Sequence, residues 1–264
     1  MFSQSWELVK RSFDVLKKDK EMLLFPMMSA AATMASLALF MLPALTLRSH
    51  EGIAMSFFIF YFGSYFIAVF FNTGLVICAD IRLKGGDPTV RDGISGAAKH
   101  FGNIFLWALI AGTVGVLISS LTSNRKSLFS RIAGSILGFS WGLVSFFVIP
   151  VMVFENVGPF EALKRSTSLI QKTWGENIAG QFSTGAVFFV LGVVGAVPLV
   201  LVLYTQSMGL FAVIGAATLV YWALLAIISS SLNGIFTVSL YEYAMGNQRA
   251  PMADLAKNAF VKMG

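Results

Sequence analysis

The chain has 264 residues, of which 56% are hydrophobic and 12% charged, and its net charge is +6. Soluble domains carry about 25% charged residues, so this composition excludes an ordinary water-soluble globule. The single cysteine, Cys78, excludes an intramolecular disulfide and a cysteine-based metal site. The basic excess flanks apolar segments, which points to anionic lipid headgroups and away from nucleic acid.

Taken in chain order, residues 1–21 form a polar segment in which Phe2, Trp6, Val9, Phe13 and Leu16 recur at helical spacing. An apolar run at 22–47 follows. It is longer than a signal-peptide core, lacks a small-x-small cleavage site and reads as a retained span. Further runs occupy 53–79, 104–121, 132–154, 178–204 and 209–241. About 18 such residues suffice to cross a hydrocarbon core of about 30 Å as a helix. Helices apolar all round need lipid as their solvent. The expected fold is a single all-α, polytopic membrane domain over 1–264, with six transmembrane helices.

Between the runs lie segments with one apolar stripe and a basic remainder. One at about 88–103 carries Ile94, Ala97, Phe101 and Ile104; another at about 158–176 carries Phe160, Leu163, Thr167, Ile170 and Trp174. A last short helix is expected at about 251–263. Such helices can lie in the bilayer interface with their cations near the phosphates.

Lys and Arg set the orientation. Lys10, Arg11, Lys17, Lys18 and Lys20 precede the first span, Arg82, Lys84, Arg91 and Lys99 follow the second, and Lys164, Arg165 and Lys172 follow the fourth. Arg249, Lys257 and Lys262 follow the sixth, while only Arg48, Arg125, Lys126 and Arg131 fall on the opposite side. The positive-inside rule then places both termini in the cytoplasm and the chain in the cytoplasmic (inner) membrane.

An internal repeat is also legible. Glu7-Leu-Val-Lys-Arg-Ser12 shares its Glu, Lys, Arg and Ser with Glu161-Ala-Leu-Lys-Arg-Ser166. Spans two, four and six end with Asp80, Glu155 and Glu242. Each is followed by glycine, then by Pro88, Pro159 or Pro251, then by Asp92, Glu161 or Asp254. Proline suits a first helical turn, and an acid there suits the exposed amides. The chain thus reads as three pseudo-repeated hairpins, each preceded by a cytoplasmic amphipathic helix.

No motif announces catalysis. His50 and His100 fall on opposite sides, so a histidine zinc site is not expected. No nucleophile elbow, Walker-type loop or paired-histidine zinc motif occurs, and no cofactor or enzyme activity is expected. Three groups of residues are candidates for function. Gly134, Gly138 and Gly142 form a small-residue face for close helix packing or an oligomer seam, with Ala30, Ala31, Ala32 and Ala35 as a facing surface. Phe57, Phe58, Phe60, Phe62, Phe66, Phe70 and Phe71 make span two bulky, which suits lipid or an oligomer seam.

Asp80 with Arg82, Glu155 with Lys164 or Arg165, and Glu242 are expected as interfacial ion pairs or, more sharply, as coupling groups. Ser229, Ser230, Ser231 and Asn233, with Asn72 and Thr73, form a polar patch that either satisfies itself locally or lines a solute path. The last apolar run is too long for the bilayer, and its Ser229–Gly234 patch is the expected bend.

Trp107-Ala-Leu-Ile-Ala-Gly-Thr-Val-Gly115, Pro150, Glu155, Gly158-Pro-Phe-Glu-Ala-Leu-Lys-Arg-Ser166 and Trp174-Gly-Glu176 resemble bacterial and archaeal six-span membrane proteins grouped as domain of unknown function 6159. The opening from Ser5-Trp6 through Lys18 to Pro26 is similar to theirs, and the likeness covers most of residues 3–180. It implies an α-helical membrane protein and brings no activity or ligand with it. Two functions compete: a non-catalytic protein that self-associates or scaffolds a membrane complex, and a small-solute or ion transporter or channel.

Overall fold

The computed structural model describes residues 13–47, 50–122, 128–174, 183–203 and 207–247, and every element among them is a helix. The expected helices before residue 13 and at 251–263 lie outside the described residues, as do Arg48, Arg125, Lys126 and positions 178–182 and 204 of the fifth run. A short 3-10 helix, Lys20–Leu23, leads into α1 (Leu24–Leu47). Then come α2 (His50–Leu83), α3 (Val90–Lys99), α4 (Phe101–Thr122), α5 (Leu128–Ser145) and α6 (Val148–Phe154). The chain continues through α7 (Pro159–Trp174), α8 (Ser183–Leu203) and α9 (Met208–Ala244).

Five segments are long and apolar enough to cross a membrane: Lys20–Phe40, Glu51–Leu83, Phe101–Leu121, Ile132–Phe154 and Met208–Ala244. The described part of the fifth expected run, α8, contains a shorter apolar helix, Phe188–Val202. Consecutive long helices pair as hairpins: α1 with α2, α4 with α5, and α8 with α9. Where helices are as apolar as lipid, close packing and side-chain hydrogen bonds hold them together. The hairpin α8–α9 shows both. Tyr221 and Trp222 donate to the backbone oxygens of Leu191 and Gly192 at 3.0 and 3.1 Å. Gly195 gives their rings room; a Cβ there would lie 2.3 Å from Tyr221 Cε1. Tyr61 donates likewise from α2 to Gly112 of α4 at 3.2 Å.

Helix ends follow from local chemistry. The α2 C-terminus closes with Gly85 at φ +88°, the Gly85 amide donating to Arg82 O and the Gly86 amide to Ile81 O. The α9 C-terminus repeats this pattern with Gly246 at φ +91°, Gly246 to Tyr243 O and Asn247 to Glu242 O. Both are Schellman closures, which need a left-handed residue where a side chain is costly. Asn156, at φ 52°, holds the matching place two residues after α6.

The fourth expected span is interrupted. Helix α5 stops at Ser145, Phe146 and Phe147 form a turn, and α6 starts at Val148. Pro150 explains the position. It has no amide to bond residue 146 four positions earlier, and its ring crowds that carbonyl. The freed Phe147 amide donates instead to the buried Ser166 Oγ of α7 at 3.0 Å. The bend expected at Ser229–Gly234 is not a break, because α9 runs as one helix of 37 residues through the patch. Such a helix measures about 55 Å.

The helices α3 and α7 pack on protein. In α3, which is ten residues long and ends four before the expected 103, Gly93 and Ala97 are the buried positions. Gly74 and Cys78 of α2 and the Phe25 ring lie against Gly93, and Ile77 of α2 lies against Gly96. In α7 the buried side chains are Ala162, Ser166, Leu169 and Ile170. In α7 the expected stripe is rotated, with Phe160 68% exposed; of the stripe expected from Ile94 to Ile104, Ala97 and Ile104 are buried, whereas Phe101, which already belongs to α4, is 53% exposed. Close approach favours the small Ala162 and Ser166 over a large ring.

Buried residues form two clusters at one end of the bundle. Ile104, Trp107, Phe147, Val151, Met152 and Tyr241 centre the first; Met22, Phe25, Leu75, Cys78, Leu232 and Ile235 centre the second.

Candidate functional site

Between these clusters the helices leave a cleft of about 670 Å³ bounded by α1, α2, the α5–α6 turn and α9. Its walls are mostly apolar, with Phe25, Phe71, Trp107 and Phe146 among them. Polar side chains enter from each of the bounding elements: Ser29 from α1, Asn72 from α2, Ser145 next to the turn, and Ser230, Asn233 and Thr237 from α9. Ser145 and Thr237 donate to the backbone oxygens of Trp141 and Asn233 within their own helices. Ser29, Asn72, Ser230 and Asn233 side chains have no hydrogen-bond partner among the described residues. An amide left unpaired in a low-dielectric setting costs several kcal/mol.

Gly234 brings α2 and α9 together at this point. A Cβ on it would lie 2.6 Å from Leu75 Cδ2 and 3.8 Å from Asn72 Oδ1. The crossing therefore sets the Asn72 amide beside the backbone next to Asn233. Of the expected polar patch, Ser230 and Asn233 face the cleft, while Ser231 is fully buried and donates to Met22 O at 3.4 Å. Ser229 is half-buried and does not line the cleft, and Thr73 is satisfied by Val69 O at 2.8 Å.

Beyond the cleft, towards the C-terminal ends of α2 and α9, lies a group of charges. Lys84 Nζ sits 2.7 Å from Asp80 Oδ1, an ion contact without a well-directed hydrogen bond, and 3.5 Å from Glu242 Oε1. It also lies over the Phe154 ring. Burial of its stem pulls the Lys84 ammonium down, but Asp80 and then Glu242 outweigh this and hold it above the usual lysine range. Arg165 Nε contacts both oxygens of Glu155 at 3.2 and 3.1 Å, and Tyr241 donates to Glu155 Oε1 at 3.2 Å.

The partner expected for Asp80 is corrected by this geometry. Arg82 reaches Asp19 at 3.2 Å and also pairs with Asp87. Residue 82 is two positions from 80 and so projects from another side of the helix, whereas Lys84 at i+4 shares its face. Lys164 is exposed and does not pair with Glu155, which takes Arg165. Asp19 is a participant the sequence did not single out; its place just before the first span was the available signal.

Residues 52–250 match a family of unknown function (DUF6159). The chain belongs to this family. As a DUF6159 member it carries the match through α8 and α9, beyond the likeness read from the sequence, while the similar opening at Ser5 to Pro26 lies outside the matched residues. A search of curated proteins found no match.

The glycine face of α5 is used unevenly. Gly134 is buried, Gly138 would place a Cβ 3.7 Å from Ile118 of α4, and Gly142 has nothing within 4 Å. The facing surface is thus α4; the alanines of α1 sit on a helix that packs on α2. Part of the phenylalanine run of α2 is also internal, since Phe66 meets Phe101 and Phe105 of α4 at 5.1 and 5.9 Å. Phe57 and Phe58 remain 58% exposed.

Proposed function

We propose that this chain is a non-catalytic, polytopic membrane protein that takes a small molecule into the cleft between α1, α2, the α5–α6 turn and α9 and passes it through the bilayer. The observation that carries this reading is the convergence of Ser29, Asn72, Ser230 and Asn233 on a cleft within apolar helices. A helix interrupted at Pro150 borders the same cleft. Carriers place binding sites beside discontinuous helices because the interruption exposes polar backbone within the membrane.

In this reading the molecule has six spans in three repeated hairpins, sits in the cytoplasmic membrane and keeps both termini on the cytoplasmic side. Support comes from the matching left-handed residues Gly85, Asn156 and Gly246 after the three returning helices. The joining of Asp80, Lys84 and Glu242 puts the ends of α2 and α9 on one side. Anionic lipid headgroups meet the exposed Lys and Arg of that side, where α3 and α7 form its amphipathic, interfacial layer.

Replacing Ser230 and Asn233 together with alanine is the test. Reconstituted flux of a panel of small solutes and lipids should fall while assembly size stays constant. Unchanged flux for every member of the panel that the parent moves would remove the cleft from the path. Self-association or scaffolding is the second reading, favoured by the open surface at Gly142 beside the exposed Ile132, Ile136 and Phe139. Gly142→Leu should then shift the assembly size measured in lipid discs, and an unshifted size would exclude that seam.

A further inference from the structure

We infer that the cleft is built for a neutral lipid, one with an uncharged head that both donates and accepts hydrogen bonds. This rests on the reading of the cleft as a binding site and names what it binds. Charge is the first argument. Among the described residues no Lys, Arg, Asp, Glu or His lines the cleft, and the ionic groups Asp80, Lys84, Glu155, Arg165 and Glu242 pair with one another outside it. A phosphate or ammonium placed among Phe25, Phe71 and Trp107 would have no counter-charge in a low-dielectric wall, which is strongly unfavourable.

Hydrogen-bonding capacity is the second. The unpaired groups are two carboxamides, Asn72 and Asn233, and two hydroxyls, Ser29 and Ser230. Each carboxamide offers two donors and an acceptor, and each hydroxyl offers both roles. They match a head carrying hydroxyl and ester or ketone oxygens, such as that of a diacylglycerol or a long-chain alcohol.

Access is the third. Ala30, Ala68, Ala223 and Ala226 line the cleft and are exposed on spans whose solvent is lipid. These small side chains leave the mouth open between helices, so an acyl chain can enter sideways along apolar walls. The cleft volume of about 670 Å³ falls within the range of about 300–1,000 Å³ usual for small-molecule sites. It holds the head and the first part of a chain, and the rest stays in the bilayer.

The test uses the full chain in phosphatidylcholine discs with a diacylglycerol bearing a photoreactive acyl chain. Cross-linked peptides are mapped by mass spectrometry. Labelling should concentrate in residues 65–76 of α2 and 223–237 of α9. Unlabelled diacylglycerol or hexadecanol should compete at least about tenfold more effectively than phosphatidylglycerol. Asn72→Leu and Asn233→Leu should each weaken labelling about tenfold or more, and Ser230→Ala supplies a milder variant should either leucine variant fail to fold.

Equal competition by phosphatidylglycerol would overturn the neutral-head assignment while leaving the cleft as a lipid site. Competition by free glycerol as effective as by diacylglycerol would overturn the lipid source in favour of a water-borne polyol. Absence of cleft labelling in the parent protein, with labelling of lipid-facing surfaces intact, would overturn both this inference and the cleft reading.

Discussion

Single residues set the tolerances of this bundle. At Gly93, a Cβ would lie 2.3 Å from Phe25 Cζ, 2.7 Å from Gly74 O and 2.8 Å from Cys78 Sγ. One of these is backbone and cannot swing aside. Gly93→Ala should therefore destabilise the protein by about 1–3 kcal/mol, read as a lowered thermal midpoint in detergent. Gly63→Ala is the control, because nothing lies within 4 Å; it should be neutral or gain about 0.5–1 kcal/mol. Ser166 caps the broken helix by accepting from the Phe147 amide. Its replacement by alanine should cost about 1–3 kcal/mol, because a buried donor loses its partner. The sequence displayed Ser166 within a repeated motif, but its role depends on a turn 19 residues away. Asp80, by contrast, was legible as an ion-pair residue, and its choice of Lys84 over Arg82 follows from helical spacing alone.

At the scale of elements, Pro150 divides one expected span into α5 and α6. Pro150→Ala restores the missing donor and should let the two fuse, straightening the wall that borders the cleft. The expected outcome is reduced cleft labelling by the photoreactive lipid with an unchanged or raised thermal midpoint. Full labelling would show that the interruption is not needed. The start of α3 depends on a capping box, in which Thr89 Oγ1 accepts from the Asp92 amide and Asp92 accepts from the Thr89 amide. Thr89→Ala should cost about 1 kcal/mol.

His100, in the turn between α3 and α4, has its pKa held below the usual 6.5 by burial and then by Lys99. Because the fold disfavours its cation, the stability it contributes is full above the ordinary value and is lost as pH falls through the lower folded one. The melting temperature should fall on acidification below about pH 6.5, and His100→Gln should flatten that part of the profile. The stripes of α3 and α7 were readable as helices. The rotation of the α7 stripe was not, since small residues won the buried face only once neighbouring helices came close.

For the whole molecule, composition and run length were enough to specify long apolar helices, the kind of element that can cross a bilayer with its backbone groups paired. The acids Asp80, Glu155 and Glu242 near the ends of α2, α6 and α9, and the glycine closures of α2 and α9, were likewise written locally, through capping chemistry that acts within a few residues. The sequence by itself therefore determined the helical class of fold, the approximate helix positions and several of the residues that form ion pairs. Only tertiary structure decided that Asp80 and Glu242 share Lys84, that α4 faces the glycines of α5, and that α9 stays unbroken. It alone gathered Ser29, Asn72, Ser230 and Asn233 onto one cleft. The physical reason is range: helix formation and capping are read within about one or two turns, whereas a cleft depends on which distant side chains are small enough to let helices approach.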